Sequence, residues 1–246
     1  MVYYSTRPYR MVTAKNRALP DFLIIGTQKG GTNYLGYLQK QHPQIHMARG
    51  EVHYFDREPN YKKGELWYRS HFPLQGEINQ SEIVGEATPG YLFSPKAAKR
   101  IKEDLSNAKL ICLLRNPTER AISHYFMSIR HKNERRPIVE AILDDKSQYK
   151  QRGLYLEQIK RYEKYLKENR LLILSSEELF ANPKKILKQV FKFLGVDETS
   201  ERPDIRPRNV GKNKTTVPPE VYEHLNKYFQ PHNRRLYNYL NRDFGW

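Results

Sequence analysis

Short, unbroken apolar runs alternate along the chain with segments whose apolar positions recur at helical spacing. The clearest runs are Asp21-Phe-Leu-Ile-Ile-Gly26 and Lys109-Leu-Ile-Cys-Leu-Leu114, with weaker ones near Ile83–Gly85 and at Leu171–Leu174. Continuous rather than alternating hydrophobicity marks strands covered on both faces. Helices are predicted at Thr32–Gln41 (Tyr34, Leu35, Leu38), Tyr61–Phe72, Pro95–Leu105, from Pro117 (Ile122, Tyr125, Phe126, Ile129), 154–168, 183–194 and 218–240. Asn116-Pro117 is a helix-start signal, because proline at the first helical position gives up an amide that would be unbonded anyway. Strands alternating with helices through short connections imply an α/β fold, a central parallel sheet with helices on both faces. Residues 1–20 are basic and aromatic without periodicity and are expected to form an arm. Residues 21–246 are expected to form a single domain, with an irregular basic stretch at 197–217.

Composition narrows the class. The 246 residues carry 43 Lys+Arg against 27 Asp+Glu, a formal charge of +16, so an anionic ligand or partner is expected. The single cysteine, Cys112, lies inside an apolar run and excludes a disulfide framework or a cysteine zinc site. No apolar stretch is long enough for a membrane helix, and the N-terminus lacks the apolar core of a signal peptide. A cytoplasmic location is the resulting expectation.

The chemistry starts in the turn after the first strand, Gly26-Thr-Gln-Lys-Gly-Gly-Thr32-Asn33. Glycines permit a tight turn whose amides, with the following helix N-terminus, form an anion cradle, and Lys29 adds a charge. The spacing is not that of a Walker A loop, where lysine directly precedes the Mg²⁺-binding hydroxyl. No strand ends in the aspartate expected to position Mg²⁺ either. The strongest later strand ends in Arg115, with Ser123 about two turns into the next helix. A guanidinium and a hydroxyl there suit a second phosphate. Together the two places suggest a nucleotide phosphorylated at both ends.

These residues carry a family resemblance. The chain resembles the sulfotransferases that use 3′-phosphoadenosine 5′-phosphosulfate (PAPS), nearest in pattern to the heparan sulfate glucosaminyl N- and 3-O-sulfotransferases. The matching segments run in order from Gly26–Asn33 through Glu51-Val-His-Tyr-Phe-Asp56, Tyr61-Lys-Lys-Gly-Glu-Leu-Trp-Tyr68, Glu86-Ala-Thr-Pro-Gly-Tyr91 and Arg115-Asn-Pro with Ser123. They continue through Gly153-Leu-Tyr155, Leu172–Leu179 and Gly211-Lys-Asn-Lys214. The resemblance implies the P-loop-containing sulfotransferase-like fold and PAPS as cofactor, without a metal. It implies a donor site from Thr27, Gln28, Lys29, Gly30, Gly31, Thr32 and Asn33, with Arg115 and Ser123 on the 3′-phosphate. Lys212, Lys214 and Thr216 would complete that site from the late loop.

Lys29 would neutralise charge as the 5′-phosphate leaves. Glu51 matches the family's catalytic glutamate, and His53, whose free pKa is nearer neutrality, is the competing base. On strand geometry both would project to one face. Asp56, Thr88 and Tyr91 are expected to bind the acceptor, a carbohydrate or another hydroxyl or amine compound. Three departures from the pattern stand out. Ala87 replaces a lysine of the O-sulfating members, Asn33 replaces a second threonine, and no disulfide can brace the late loop. The family's heparan sulfate enzymes are membrane-anchored in the Golgi lumen, whereas no anchor is visible here. The chain is therefore expected to be either a soluble, bacterial-like relative or a trimmed catalytic domain, the missing disulfide pair favouring the first. A P-loop nucleotide kinase and a basic nucleic-acid-binding module are the rival readings. The missing Mg²⁺ residues weigh against the first; the second has only the Arg130–Arg136 charge run and no recognisable motif.

Overall fold

The computed structural model describes residues 6–144, 147–198, 203–206 and 216–246. After a helix α1 (Thr6–Val12), strand β1 (Phe22–Gly26) leads into α2 (Thr32–Gln39), and β2 (Ile45–Met47) is followed by α3 (Glu58–Tyr61) and α4 (Gly64–Arg69). Strand β3 (Ile83–Ala87), α5 (Pro95–Asp104), β4 (Lys109–Leu114) and α6 (Pro117–Arg130) come next. Short helices α7 (Ile138–Leu143), α8 (Gln148–Gln151), α9 (Tyr155–Lys160) and α10 (Glu163–Lys167) precede β5 (Leu171–Ser175). The described chain closes with α11 (Ser176–Ala181), α12 (Pro183–Leu194) and α13 (Pro219–Leu240).

The five strands form one parallel sheet in the order β2-β3-β1-β4-β5. Every residue of β1 is buried, and its alternate side chains feed two cores. Leu23 and Ile25 pack with Tyr68, Phe72, Ile101 and Tyr162 on one face, while Phe22 and Ile24 pack with Leu35, Ile186 and Val190 on the other. Burial on both faces is what the unbroken apolar runs required. Because β3 and β4 flank β1, the chain crosses from one half of the sheet to the other there. The crevice at the carboxyl ends of these strands is where open α/β sheets bind ligands.

Three expected elements differ. The helix expected at Tyr61–Phe72 is two helices, α3 and α4, parted at Gly64, whose φ of +77° is left-handed. The helix expected over 154–168 is broken between α9 and α10, where buried Tyr162 turns inward and its hydroxyl donates to the Tyr91 carbonyl at 2.8 Å. The described part of the expected arm is partly helical and docked. Arg10 donates to the carbonyls of Ser70 and Phe72 (2.6 and 2.9 Å), and buried Arg17 donates to Phe72 (2.7 Å). The three-residue β2 and the shortest helices are too brief to leave a periodic signal.

Candidate active site

The expected site segments that follow β1, β2, β3 and β4 all lie beyond the carboxyl ends of those strands. The turn after β1 is shaped by its glycines. A Cβ on Gly30 would stand 2.8 Å from the Thr27 methyl and 2.9 Å from the Leu113 carbonyl oxygen, and Gly31, capping α2, has φ +89°. Thr27 and Thr32 are buried, Asn33 is exposed, and the Gln28 Oε1 atom is buried without a partner. Lys29 also adopts a left-handed φ of +71°. Arg115 crosses from β4 to donate from Nη1 to the Lys29 carbonyl at 3.1 Å. The first phosphate loop and the expected second phosphate site are therefore physically joined. Ser123 is half-buried on α6.

This corner is rich in positive charge. The Lys29 amine is shifted below its usual range by burial and by the nearby Arg130 and Arg115 guanidiniums, with Glu51 opposing them. Arg120, one turn into α6, is fully buried, and its Nε and Nη1 lack partners. An anion placed among these groups would relieve repulsion, so the glycine cradle and the crowded cations fit a nucleotide's phosphates. Arg130 is an addition. In the sequence it belongs to a surface charge run, but the helix brings it within electrostatic range of Lys29.

The second half of the site is the segment after β2. Residues 51–53 form no strand, contrary to expectation; they run as irregular backbone into a turn, with His53 at φ +53°. Their side chains converge all the same. His53 bridges two carboxylates, Nε2 to Glu51 Oε2 at 3.0 Å and Nδ1 to Asp56 Oδ2 at 2.9 Å. Burial alone would lower the imidazole pKa, but hydrogen bonds to Asp56 and then Glu51 outweigh it and push it up to about 9. The ring is thus an imidazolium at neutral pH, donating from both nitrogens. Gly90 makes room for this triplet: a Cβ there would lie 2.3 Å from Asp56 Oδ2.

A pH signature follows. His53 is raised above an unfolded value near 6.5, so its contribution to stability is complete below pH 6.5 and is lost as pH rises through about 9. The urea midpoint difference between wild type and His53→Gln is expected to shrink steadily from pH 6 to pH 10. A difference that stays constant over that range would show that the imidazolium pairing contributes nothing.

Thr88 and Tyr91 are not where an acceptor would meet them. Both are fully buried, and both hydroxyls donate to the carboxylate of buried Glu86. Their hydroxyl oxygens accept the amides of Val52, His53 and Tyr54, so they face the backbone of that segment rather than solvent. Glu86 opens one of the family-like motifs, yet no role follows for it from sequence; its signal is a lone carboxylate inside the otherwise apolar Ile83-Val-Gly-Glu-Ala87 run. Asn60, whose Nδ2 donates to the carbonyls of Val52 and His53 at 3.3 and 3.1 Å, left no such signal. Thr216 is described and exposed, whereas Lys212 and Lys214 lie outside the described residues.

Among the described residues no helix is long and apolar enough to cross a membrane. Comparison with known proteins gives a consistent family. The sulfotransferase-domain profile matches residues 19–215. Membrane-associated sulfotransferase kil1 of Dictyostelium discoideum is 26% identical over 96% of this chain and 68% of its own length. Human heparan sulfate glucosamine 3-O-sulfotransferase 6 is 31% identical over 94% of this chain and 74% of its own. A crystal structure of a sulfotransferase from Alicyclobacillus acidocaldarius superposes with a TM-score of 0.78 at 26% identity, covering 92% of this chain and 98% of that one. The chain spans about two thirds to three quarters of the length of these curated relatives. With the parallel sheet, the glycine cradle after β1 and a domain match over most of its length, the chain belongs to the sulfotransferase family.

Proposed function

We propose that this chain transfers the sulfuryl group of PAPS to a hydroxyl or amine of a carbohydrate acceptor, with Glu51 as general base. The observation that carries the reading is the meeting, at one end of the sheet, of a cationic glycine cradle and a carboxylate fixed by an imidazolium. The donor would supply the sulfuryl group. The amides of residues 30–33, Thr27, Gln28 and Thr32 would hold its 5′-phosphate, and Arg115 with Ser123 its 3′-phosphate. Lys212, Lys214 and Thr216 belong to the same proposal, as further donor contacts from the late loop.

Lys29 would place its ammonium beside the oxygen that gains charge as the sulfur–oxygen bond breaks, stabilising the leaving phosphate. As the acceptor oxygen or nitrogen bonds to sulfur, its proton would pass to the free carboxylate oxygen of Glu51. His53, already protonated, is poorly suited to accept that proton. It orients Glu51 instead, and Asp56 holds His53. The 3-O-sulfotransferase relatives support a carbohydrate acceptor, and the excess of basic residues, Arg130–Arg136 among them, suits an anionic one.

The decisive measurement is transfer of labelled sulfate from PAPS to a panel of glycans and small alcohols. Adenosine 3′,5′-bisphosphate, the product nucleotide, is expected to bind tightly without Mg²⁺. Mg²⁺-dependent ATP turnover with no binding of the bisphosphate would overturn the reading.

A further inference from the structure

The 51–54 segment lies outside the sheet, yet three successive amides in it are bonded to side chains beyond the end of β3. Thr88 Oγ1 accepts the amides of Val52 (3.1 Å) and His53 (3.4 Å), and the Tyr91 hydroxyl oxygen accepts that of Tyr54 (3.1 Å). Each hydroxyl thus turns its lone pairs to the segment and has one proton left to direct. Both protons go to Glu86: Thr88 donates to Oε2 and Tyr91 to Oε1, each at 2.9 Å. Tyr68 adds a third donor at Oε1, at 2.6 Å.

The arrangement has a direction. With three hydroxyl protons directed at its two oxygens, the Glu86 carboxyl group accepts from all of them. It thereby sets the rotation of the Thr88 and Tyr91 hydroxyls, and these present their oxygens to the amides. We propose that Glu86 is a positioning residue that, through Thr88 and Tyr91, holds Glu51 and His53 in the geometry from which the acceptor is deprotonated. The inference rests on the reading of Glu51 as the base. Two further observations support it. Burial raises the Glu86 pKa above the usual carboxylate range, with the three hydroxyl donors opposing the rise; well-packed apolar residues would fill this core without the cost of burying a carboxyl group. His53 sits in a left-handed conformation, which a non-glycine residue keeps only when its surroundings hold it there.

The test uses the full chain with Glu86→Gln, Thr88→Val, their combination, and Thr88→Ser. The carboxamide oxygen of Gln would take the place of Oε1, where two tyrosines donate, leaving its NH₂ facing Thr88. The Thr88 hydroxyl proton then has no acceptor, so Thr88→Val removes the same link from its other end. Both single variants are expected to lose about 10²-fold in kcat, the scale of an ångström-sized misplacement. Bisphosphate affinity stays unchanged, Thr88→Ser recovers most of the rate, and the double variant is no slower than either single one. The ¹⁵N resonances of the His53 ring are expected to move in both single variants, a readout independent of turnover.

Folded Glu86→Gln with the wild-type kcat and unmoved His53 resonances overturns the proposal, and so does a double variant whose losses multiply. If Glu86→Gln does not fold, Thr88→Val and Thr88→Ser decide the link between them: an unchanged kcat in folded Thr88→Val overturns it. If His53 resonances move while Glu51→Gln leaves transfer intact, the anchoring stands and the assignment of Glu51 as base falls.

Discussion

Glu51→Gln is expected to lower kcat by about 10²–10⁴-fold, the range of a positioned general base, while leaving bisphosphate binding unchanged. Glutamine keeps the length and the oxygen that can accept from His53 Nε2, now 3.0 Å from Glu51 Oε2. What it loses is an atom able to take the acceptor's proton at neutral pH. The segment therefore stays in place and only the proton transfer fails. Single-turnover sulfate transfer with saturating PAPS, alongside calorimetric titration of the bisphosphate, separates the two. A variant that binds the nucleotide and transfers sulfate at the wild-type rate would remove Glu51 from the chemistry. Attention would then pass to His53, whose pKa near 9 would demand activity rising with pH up to that value.

Lys29→Met is expected to lower kcat by about 10²–10³-fold, the scale seen when one donor to a developing anion is removed, and to weaken bisphosphate binding as well. Methionine keeps the aliphatic stem in the left-handed turn and deletes only the charge. The same change is expected to raise the thermal midpoint of the unliganded protein, because burial, Arg130 and Arg115 all disfavour the ammonium there. Loss of activity with a gain in stability is the signature of a charge kept for its ligand. A variant that loses both would mark Lys29 as a structural residue. Thermal unfolding with and without the bisphosphate decides between them, since ligand stabilisation follows affinity.

The order of elements was legible because it is written in hydrophobic period. The runs at Asp21–Gly26 and Lys109–Leu114 became the buried centre of the sheet, and the Asn116-Pro117 start is realised with Asn116 Oδ1 accepting the Thr118 amide at 3.0 Å. The phosphate turn was legible because glycine has few other reasons to occur twice between a buried strand and a helix. What the sequence hid is tertiary. Whether Thr88 and Tyr91 face solvent or core depends on how β3 ends, and no local pattern records that. The meeting of Glu51 and His53 was expected from strand geometry but occurs in irregular backbone with His53 in a left-handed conformation, where Asp56 joins them. The side chains meet, but not for the local reason expected. Arg130 is exposed, as a charge at a helix end suggests, but its effect on Lys29 could not be read until the neighbouring loop was known.

The backbone of the 51–54 segment is gripped on both sides, its amides by Thr88 and Tyr91 and two of its carbonyls by Asn60. Its course is consequently independent of the exposed side chains that border it, such as that of Arg57. On the proposed reading, residues at that rim could be exchanged to suit one acceptor or another while the Glu51 carboxylate keeps its station. Selectivity would then belong to the exposed rim, and the hold on the backbone that carries Glu51 to the buried hydroxyls beneath it.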